Sequence, residues 1–357
     1  MPQVKPQWEI FCKIVDNFGD IGVCWRLARQ LVKEHGLHVI LWIDDLTIAQ
    51  KIIPNINHSL TSQSVEGVTI RPWQDNAEFE PIAEVVIEAF GCGLPSSYLA
   101  KMQPNHRWVN LEYLSAEAWV EDFHGRHAVH GNLKRYFYFP GFVPNTGGLI
   151  RENDLPQSTF EIEQDSLNVS LFCYQNAPIQ SFFSILSASQ YKTTLFVPFN
   201  THLQQHAEFF NQPAFQVGNV YTSGNLTLKV LPFLSQDEYD ALLRACDINF
   251  VRGEDSWLRA IWAGKPMIWQ PYVQEENTHI KKLNAFLDMF YASCDAATQA
   301  AICKMYRSWT SGALVDSVWI DMMQHREILN QHARTQKSNF SKQPDLASKL
   351  VIFCNNL

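Results

Sequence analysis

The chain has 357 residues, of which 46% are hydrophobic and 18% charged, and its formal net charge is −8. Mean hydropathy is −0.16 and the isoelectric point lies near 5.8. This is an ordinary globular composition, which excludes a disordered or fibrous chain, and the acidic balance argues against a primary nucleic-acid binder. At roughly 100–200 residues per domain the length implies two cores, and 11 Trp, 11 Tyr and 23 Phe suffice to fill them. No apolar run is long enough for a membrane span, and MPQVKPQWEI lacks the basic and apolar regions of a signal peptide. The eight cysteines (Cys12, Cys24, Cys92, Cys173, Cys246, Cys294, Cys303, Cys354) form no C-x-x-C pair. Buried free thiols in a reducing compartment account for them, so a cytoplasmic protein without membrane or nucleic-acid partners is expected.

The first element is the apolar run WEIFCKIV, ending at Asp16. The turn-rich Asp16-Asn17-Phe18-Gly19-Asp20 follows. Apolar residues at helical spacing (Cys24, Trp25, Leu27, Ala28, Leu31, Val32) then predict a helix from about Ile21 to His35, with Gly36 as its C-cap. LHVILWI reads as a second buried strand, which makes a βαβ opening. EVVIEAF and RWVNLEYL read as further buried strands, and continuous apolar runs of this kind suit a parallel sheet covered on both faces. After the aromatic strand KRYFYF, residues 140–165 collect Pro140, Gly141, Pro144, Gly147, Gly148 and Pro156, and the domain junction is placed there. A second alternation begins with the strand LNVSLFCY and a helix near 177–188. TTLFVPF, a helix near 202–210, LTLKVLPF, a helix over 236–246 and the strand INFV continue it. RGEDS, another helix, the strand PMIW and several helices complete the chain. The reading is α/β, with two Rossmann-like domains, 1–160 and 161–339, facing across a cleft, and a last helix, about 340–357, packing back on the first.

In open α/β sheets ligands bind at the carboxyl ends of strands, so the loops that follow strands are where chemistry is sought. Two stand out. Asp16 and Asp20 put two carboxylates four residues apart, enough for a general base and a partner that orients it. Gly19 permits close backbone approach, and the helix start offers N–H groups to an anion. The competing reading is structural: Asp20 caps the helix and Asp16 starts the turn. In Arg252-Gly253-Glu254-Asp255-Ser256, the hydroxyl and the helix start suit a phosphate and Arg252 adds charge. Glu254 and Asp255 would repel a diphosphate and need another task. Here the competing reading is a helix cap with Arg252 paired internally. Gly91-Cys92-Gly93 reads as a tight turn before it reads as a phosphate loop. His124, His127 and His130 recur every third residue and read as a solvated helix face. Phe172, Tyr174 and Phe233, in strand-end loops, could stack a base or simply pack. No dinucleotide glycine fingerprint, Walker motif or zinc-protease motif occurs.

The segments FCKIVDNFGDIGVCWRLARQL and FVRGEDSWLRAIWAGKPMIWQPYVQEENTH resemble the EarP family, protein-arginine rhamnosyltransferases acting on elongation factor P. The resemblance covers essentially the whole chain. It implies a GT-B fold, a TDP-β-L-rhamnose donor, and transfer to an arginine side chain with inversion and without a metal or other cofactor. It also implies the site residues. The family's first-loop aspartates correspond to Asp16 and Asp20, and its catalytic glutamate to Glu254. The diphosphate would contact Arg252, Gly253, Asp255 and Ser256, and Asn17, Phe18 and Gly19 would line the donor. Phe172, Tyr174, Phe233 and Gln236 would surround the thymidine. Spacing alone leaves open a transferase with another donor or acceptor, a non-catalytic nucleotide-binding regulator and, less favoured, a nicotinamide oxidoreductase.

Overall fold

The computed structural model describes residues 6–15, 18–53, 55–74, 77, 79, 82–153 and 158–357. The chain forms two compact units, Met1–Leu155 with Phe340–Leu357, and Pro156–Asn339. Among the described residues no helix is long and apolar enough to cross a membrane.

The first unit opens with β1 (Gln7–Cys12), α1 (Gly19–His35) and β2 (His38–Ile43). The apolar stripe of α1 is buried, and the helix ends on a left-handed Gly36 whose N–H donates to the Leu31 carbonyl. There follow α2 (Leu46–Ala49), β3 (Gln63–Val65), β4 (Val68–Pro72), β5 (Val85–Ala89) and α3 (Ser96–Leu99), then β6 (Arg107–Leu111), α4 (Trp119–Phe123), β7 (His127–His130) and β8 (Leu133–Tyr138). The strand order is β3-β4-β2-β1-β5-β6-β8-β7. Pairing is parallel from β4 through β8, and the edge strands β3 and β7 are antiparallel. One face is sealed by aromatic rings: Phe11 of β1 meets Trp42, Trp73, Phe79 and Tyr98, with centroids 4.7–5.8 Å away. On α1, Arg26, 2% exposed, makes a two-pronged ion pair with Glu152 at 2.6 and 2.7 Å.

The second unit contains β9 (Leu167–Leu171), α5 (Ile179–Ala188), β10 (Thr193–Pro198), β11 (Val220–Ser223) and β12 (Leu226–Leu231), then α6 (Gln236–Ala245), β13 (Ile248–Arg252), α7 (Asp255–Ala263) and β14 (Met267–Gln270). The helices α8 (Thr278–Phe290), α9 (Ala296–Thr310), α10 (Asp316–Gln324) and α11 (Arg326–Ser341) come next. The helix expected near 202–210 is a 3-10 helix, Thr201–Phe210. Its sheet runs β11-β12-β10-β9-β13-β14, parallel except for the edge strand β11. Under it Phe182 and Phe250 pack with Trp309 and Trp319. The last helix, α12 (Leu346–Asn355), belongs to the first unit. Asp345 caps it and accepts from Gln30 of α1 at 3.0 Å, while Leu346 N–H donates to the Leu149 carbonyl.

In both sheets the order reverses beside the first strand: β1 lies between β2 and β5, and β9 between β10 and β13. Connections from such a pair leave in opposite directions, which opens a crevice at the carboxyl ends of the strands. The two loops singled out in the sequence follow β1 and β13, so each stands at the switch point of its own sheet.

Gly224, in the β11–β12 turn, has φ +54°, and a Cβ there would lie 2.3 Å from the Ser187 carbonyl oxygen. Gly218 has φ +85° but nothing within 4 Å of such an atom. In urea unfolding Gly224→Ala is expected to cost about 2–4 kcal/mol and Gly218→Ala about 1 kcal/mol. Equal losses would mean that backbone strain rather than the close approach sets the cost.

Candidate active site

In the first unit the chain just after β1 is pinned by two carboxylates. Ile14 N–H donates to Asp44 Oδ1 at 3.0 Å, and Val15 N–H to Asp20 Oδ2 at 2.8 Å. Asp20 is 2% exposed. It does not cap the helix: Phe18 is the N-cap residue, without a side-chain cap bond. Instead, Oδ1 of Asp20 accepts from the Tyr113 hydroxyl at 3.1 Å, so its carboxylate is held by groups from two parts of the fold. Gly19 starts α1, and Phe18 carries the Lys51 ammonium 5.9 Å from its ring centre. Asp16 and Asn17 lie outside the described residues.

Tyr113 was hidden in the sequence inside the apolar run RWVNLEYL. The strand β6 stops at Leu111, so Glu112 and Tyr113 fall in the loop at its carboxyl end. Glu112, a charge after five strand residues, was the one signal of that end. Tyr113 stacks on Phe90, with centroids 4.3 Å apart and planes 12° from parallel. The turn after β5 is held by buried side chains: Gly91 N–H donates to Asn110 and Gly93 N–H to Glu88, each at 2.9 Å. These amides serve a tight turn, not a phosphate.

In the second unit the loop between β13 and α7 meets the loop after β9. The Arg252 guanidinium lies over Phe172 at 4.2 Å and Tyr174 at 4.7 Å from the ring centres, and Nη1 donates to the Cys173 carbonyl at 3.3 Å. The side chain that the competing reading paired with an acidic neighbour is instead set on aromatic faces, a cation–π arrangement. Ser256 Oγ accepts from Arg252 N–H at 3.1 Å and donates to the Arg252 carbonyl, which fixes the start of α7. Trp269 Nε1 donates to the Gly253 carbonyl at 2.7 Å and its ring stacks on Trp257 at 3.8 Å. Fully buried Gln270 accepts from Tyr174 N–H at 2.8 Å and donates to Asn176 at 3.0 Å. The α7 N-cap, half-buried Glu254, makes no side-chain cap bond, and a nine-residue helix with this start suits an anion.

Asp255 resolves the difficulty of a carboxylate beside a diphosphate. Arg259, 5% exposed, donates to Asp255 at 2.8 Å and to Asp240 at 2.8 Å, so the charge of Asp255 is countered within the unit. Gln236 Nε2 donates to Asp255 at 3.4 Å, while its Oε1 is buried with no hydrogen-bond partner among the described residues. Phe233 is 46% exposed.

The histidine triplet does not share a helix. His127 and His130 lie exposed on β7, whereas His124 Nδ1 accepts from Phe139 N–H at 3.1 Å. Burial, aided by Lys349, pushes His124 down to about 4. Glu34, His35 and Asp345 bring three possible ligand atoms within 4.8 Å of one another. Both carboxylates there already accept hydrogen bonds, from Gln30, Asn153 and Ser348. All eight cysteines are free, and only Cys92 and Cys294 are not fully buried.

Residues 8–355 match the family described as elongation-factor P (EF-P) rhamnosyltransferase EarP. A protein-arginine rhamnosyltransferase of Pseudomonas putida is 41% identical, with 99% of this chain and 100% of that protein covered. One of Pseudomonas aeruginosa is 37% identical, with 97% and 98% covered. A solved structure described as the basis for EarP-mediated arginine glycosylation of translation elongation factor EF-P superposes with TM-score 0.69 at 32% identity, covering 99% of both chains. Acinetobacter baumannii MurG, 12% identical with TM-score 0.54, shares the fold, which is GT-B.

The Arg259 pairing has a direct consequence. Arg259→Met removes the guanidinium that Asp240 and Asp255 share, and is expected to lower stability by about 3–5 kcal/mol, read as a fall in the urea midpoint. A loss below about 1 kcal/mol would show that water replaces the pairing.

Proposed function

Because the chain belongs to the EarP family of EF-P rhamnosyltransferases, we propose that it transfers rhamnose from TDP-β-L-rhamnose to an arginine side chain of elongation factor P. The observation that carries this reading is a family match running through both switch-point loops, with Asp20 in one and Arg252–Ser256 in the other. A translation factor as acceptor makes the cytoplasm the place of reaction.

A guanidinium is protonated at neutral pH and is a poor nucleophile in that form. One of its nitrogens must lose a proton as it attacks the anomeric carbon. In our reading Asp20 takes that proton, the N–C bond forms on the face opposite the diphosphate, and the C–O bond to TDP breaks. The electron pair leaves with TDP and the configuration inverts, with no glycosyl-enzyme intermediate and no metal. Asp16 holds the acceptor guanidinium or the loop, and Glu254 positions donor or acceptor. The α7 N-terminus, Ser256 and Arg252 stabilise charge developing on the departing diphosphate. The buried Oε1 of Gln236, without a hydrogen-bond partner among the described residues, is an acceptor suited to the imide N–H of thymine, and Phe172, Tyr174 and Phe233 offer ring faces for the base. Asn17, Phe18 and Gly19 line the donor from the first unit's loop.

The test is the intact mass of elongation factor P after incubation with the protein and TDP-β-L-rhamnose. A single added deoxyhexose, placed by fragmentation on one arginine, is expected. Asp20→Asn should slow turnover by about 10²–10⁴-fold with TDP affinity nearly unchanged. No mass gain despite TDP binding would overturn the acceptor, and loss of TDP binding together with turnover would give Asp20 a structural role.

A further inference from the structure

We propose that Tyr113, braced by Phe90, is a positioning residue for Asp20, an inference that rests on Asp20 being the base. A carboxylate base works only if one oxygen lone pair is aimed at the proton it removes, and an aspartate free to rotate spends little time so aimed. Val15 and Tyr113, which both donate to Asp20, divide this task unequally. Val15 N–H belongs to the same loop, five residues away, so it shapes the loop but moves with it. Tyr113 lies 93 residues along the chain, at the end of β6. In the sheet, β1, β5 and β6 are consecutive neighbours, and Asp20, Phe90 and Tyr113 follow them in turn. The hydroxyl therefore refers the carboxylate to the sheet rather than to its own loop.

A phenol can serve as such a reference only if its ring is fixed, and Phe90 supplies that. Its ring covers Tyr113 almost parallel, 4.3 Å away. To put it there, the backbone of Phe90 adopts φ +57°, a left-handed conformation that bulky residues rarely hold unless their surroundings impose it. Here they do. Phe90 N–H donates to the Leu111 carbonyl at 2.6 Å, and the next residues are tied to Asn110 and Glu88. Glu88, 1% exposed, is itself fixed by Trp108 Nε1 and Arg135, each at 3.0 Å. Two buried polar side chains thus hold a strained residue whose ring steadies the tyrosine that touches the base.

The experiment compares Tyr113→Phe, Phe90→Leu and Asp20→Asn with the parent protein in steady-state transfer to elongation factor P, counting active sites by TDP-binding stoichiometry. Tyr113→Phe keeps the ring and loses only the hydroxyl. The expected result is a fall in kcat of about 10-fold or more, with KM for donor and acceptor within about twofold of the parent. Phe90→Leu, which keeps bulk but not the flat stack, is expected to lower kcat by about 3–10-fold in the same way. If Tyr113→Phe retains kcat within about twofold while Asp20→Asn is inactive, the positioning role is overturned and the base is not. A raised acceptor KM with intact kcat would make Tyr113 an acceptor contact and also overturn it. Full turnover in Asp20→Asn would overturn the assignment of the base itself.

Discussion

A parallel sheet whose first strand lies inside it must send its connections to opposite sides, and this constraint arranges both halves of the molecule. β1 sits between β2 and β5, and β9 between β10 and β13. At each reversal the loops part, so backbone N–H groups and side chains at the carboxyl edge face a crevice rather than a neighbouring connection. The acidic loop with Asp20 and the loop Arg252–Ser256 occupy these two positions. The same topology, repeated in one chain, gives a family of group-transferring enzymes two places to bring reactive groups.

Loops at a switch point are irregular, and irregular backbone must find partners other than a strand ladder. The fold provides them from the sheet interior. Glu88 and Asn110 take the amides of the turn after β5, Gln270 the amide of Tyr174, and Trp269 donates to the carbonyl of Gly253. Arg259 plays the equivalent part for charge, holding Asp240 and Asp255 together. These buried polar groups explain how charged loops stay ordered beside aromatic cores. Each typical bond contributes only about 1 kcal/mol, yet leaving such a group unmet costs more.

Arg252 shows how packing can hold a charge at the end of a strand. Its guanidinium rests on Phe172 and Tyr174, so the rings that could stack a base and the cation that could meet a diphosphate form one unit. In the other sheet, Tyr113, stacked on Phe90, brings its hydroxyl to Asp20. In both cases the aromatic faces come from loops that follow strands other than the one that bears or precedes the charged residue.

The sequence by itself determined most of the alternation of strands and helices, the two sheets and the family, and it singled out the loops that follow β1 and β13. Periodicity, turn residues and contiguous motifs are local, and a chain carries them wherever it folds. It also showed where α1 ends, at its glycine cap. It did not show the edge strands β3, β7 and β11, or β4 beside β3, because three to five residues, most of them at least partly exposed, carry no readable period. Nor did it show that Asp20 is held rather than capping, that Asp255 is paired with Arg259, or that Tyr113 reaches Asp20 at all. Those depend on side chains from separate strands meeting in space, Asp20 and Tyr113 across 93 residues. Only the strand order, fixed by burial of both faces of each sheet, decides which loops become neighbours.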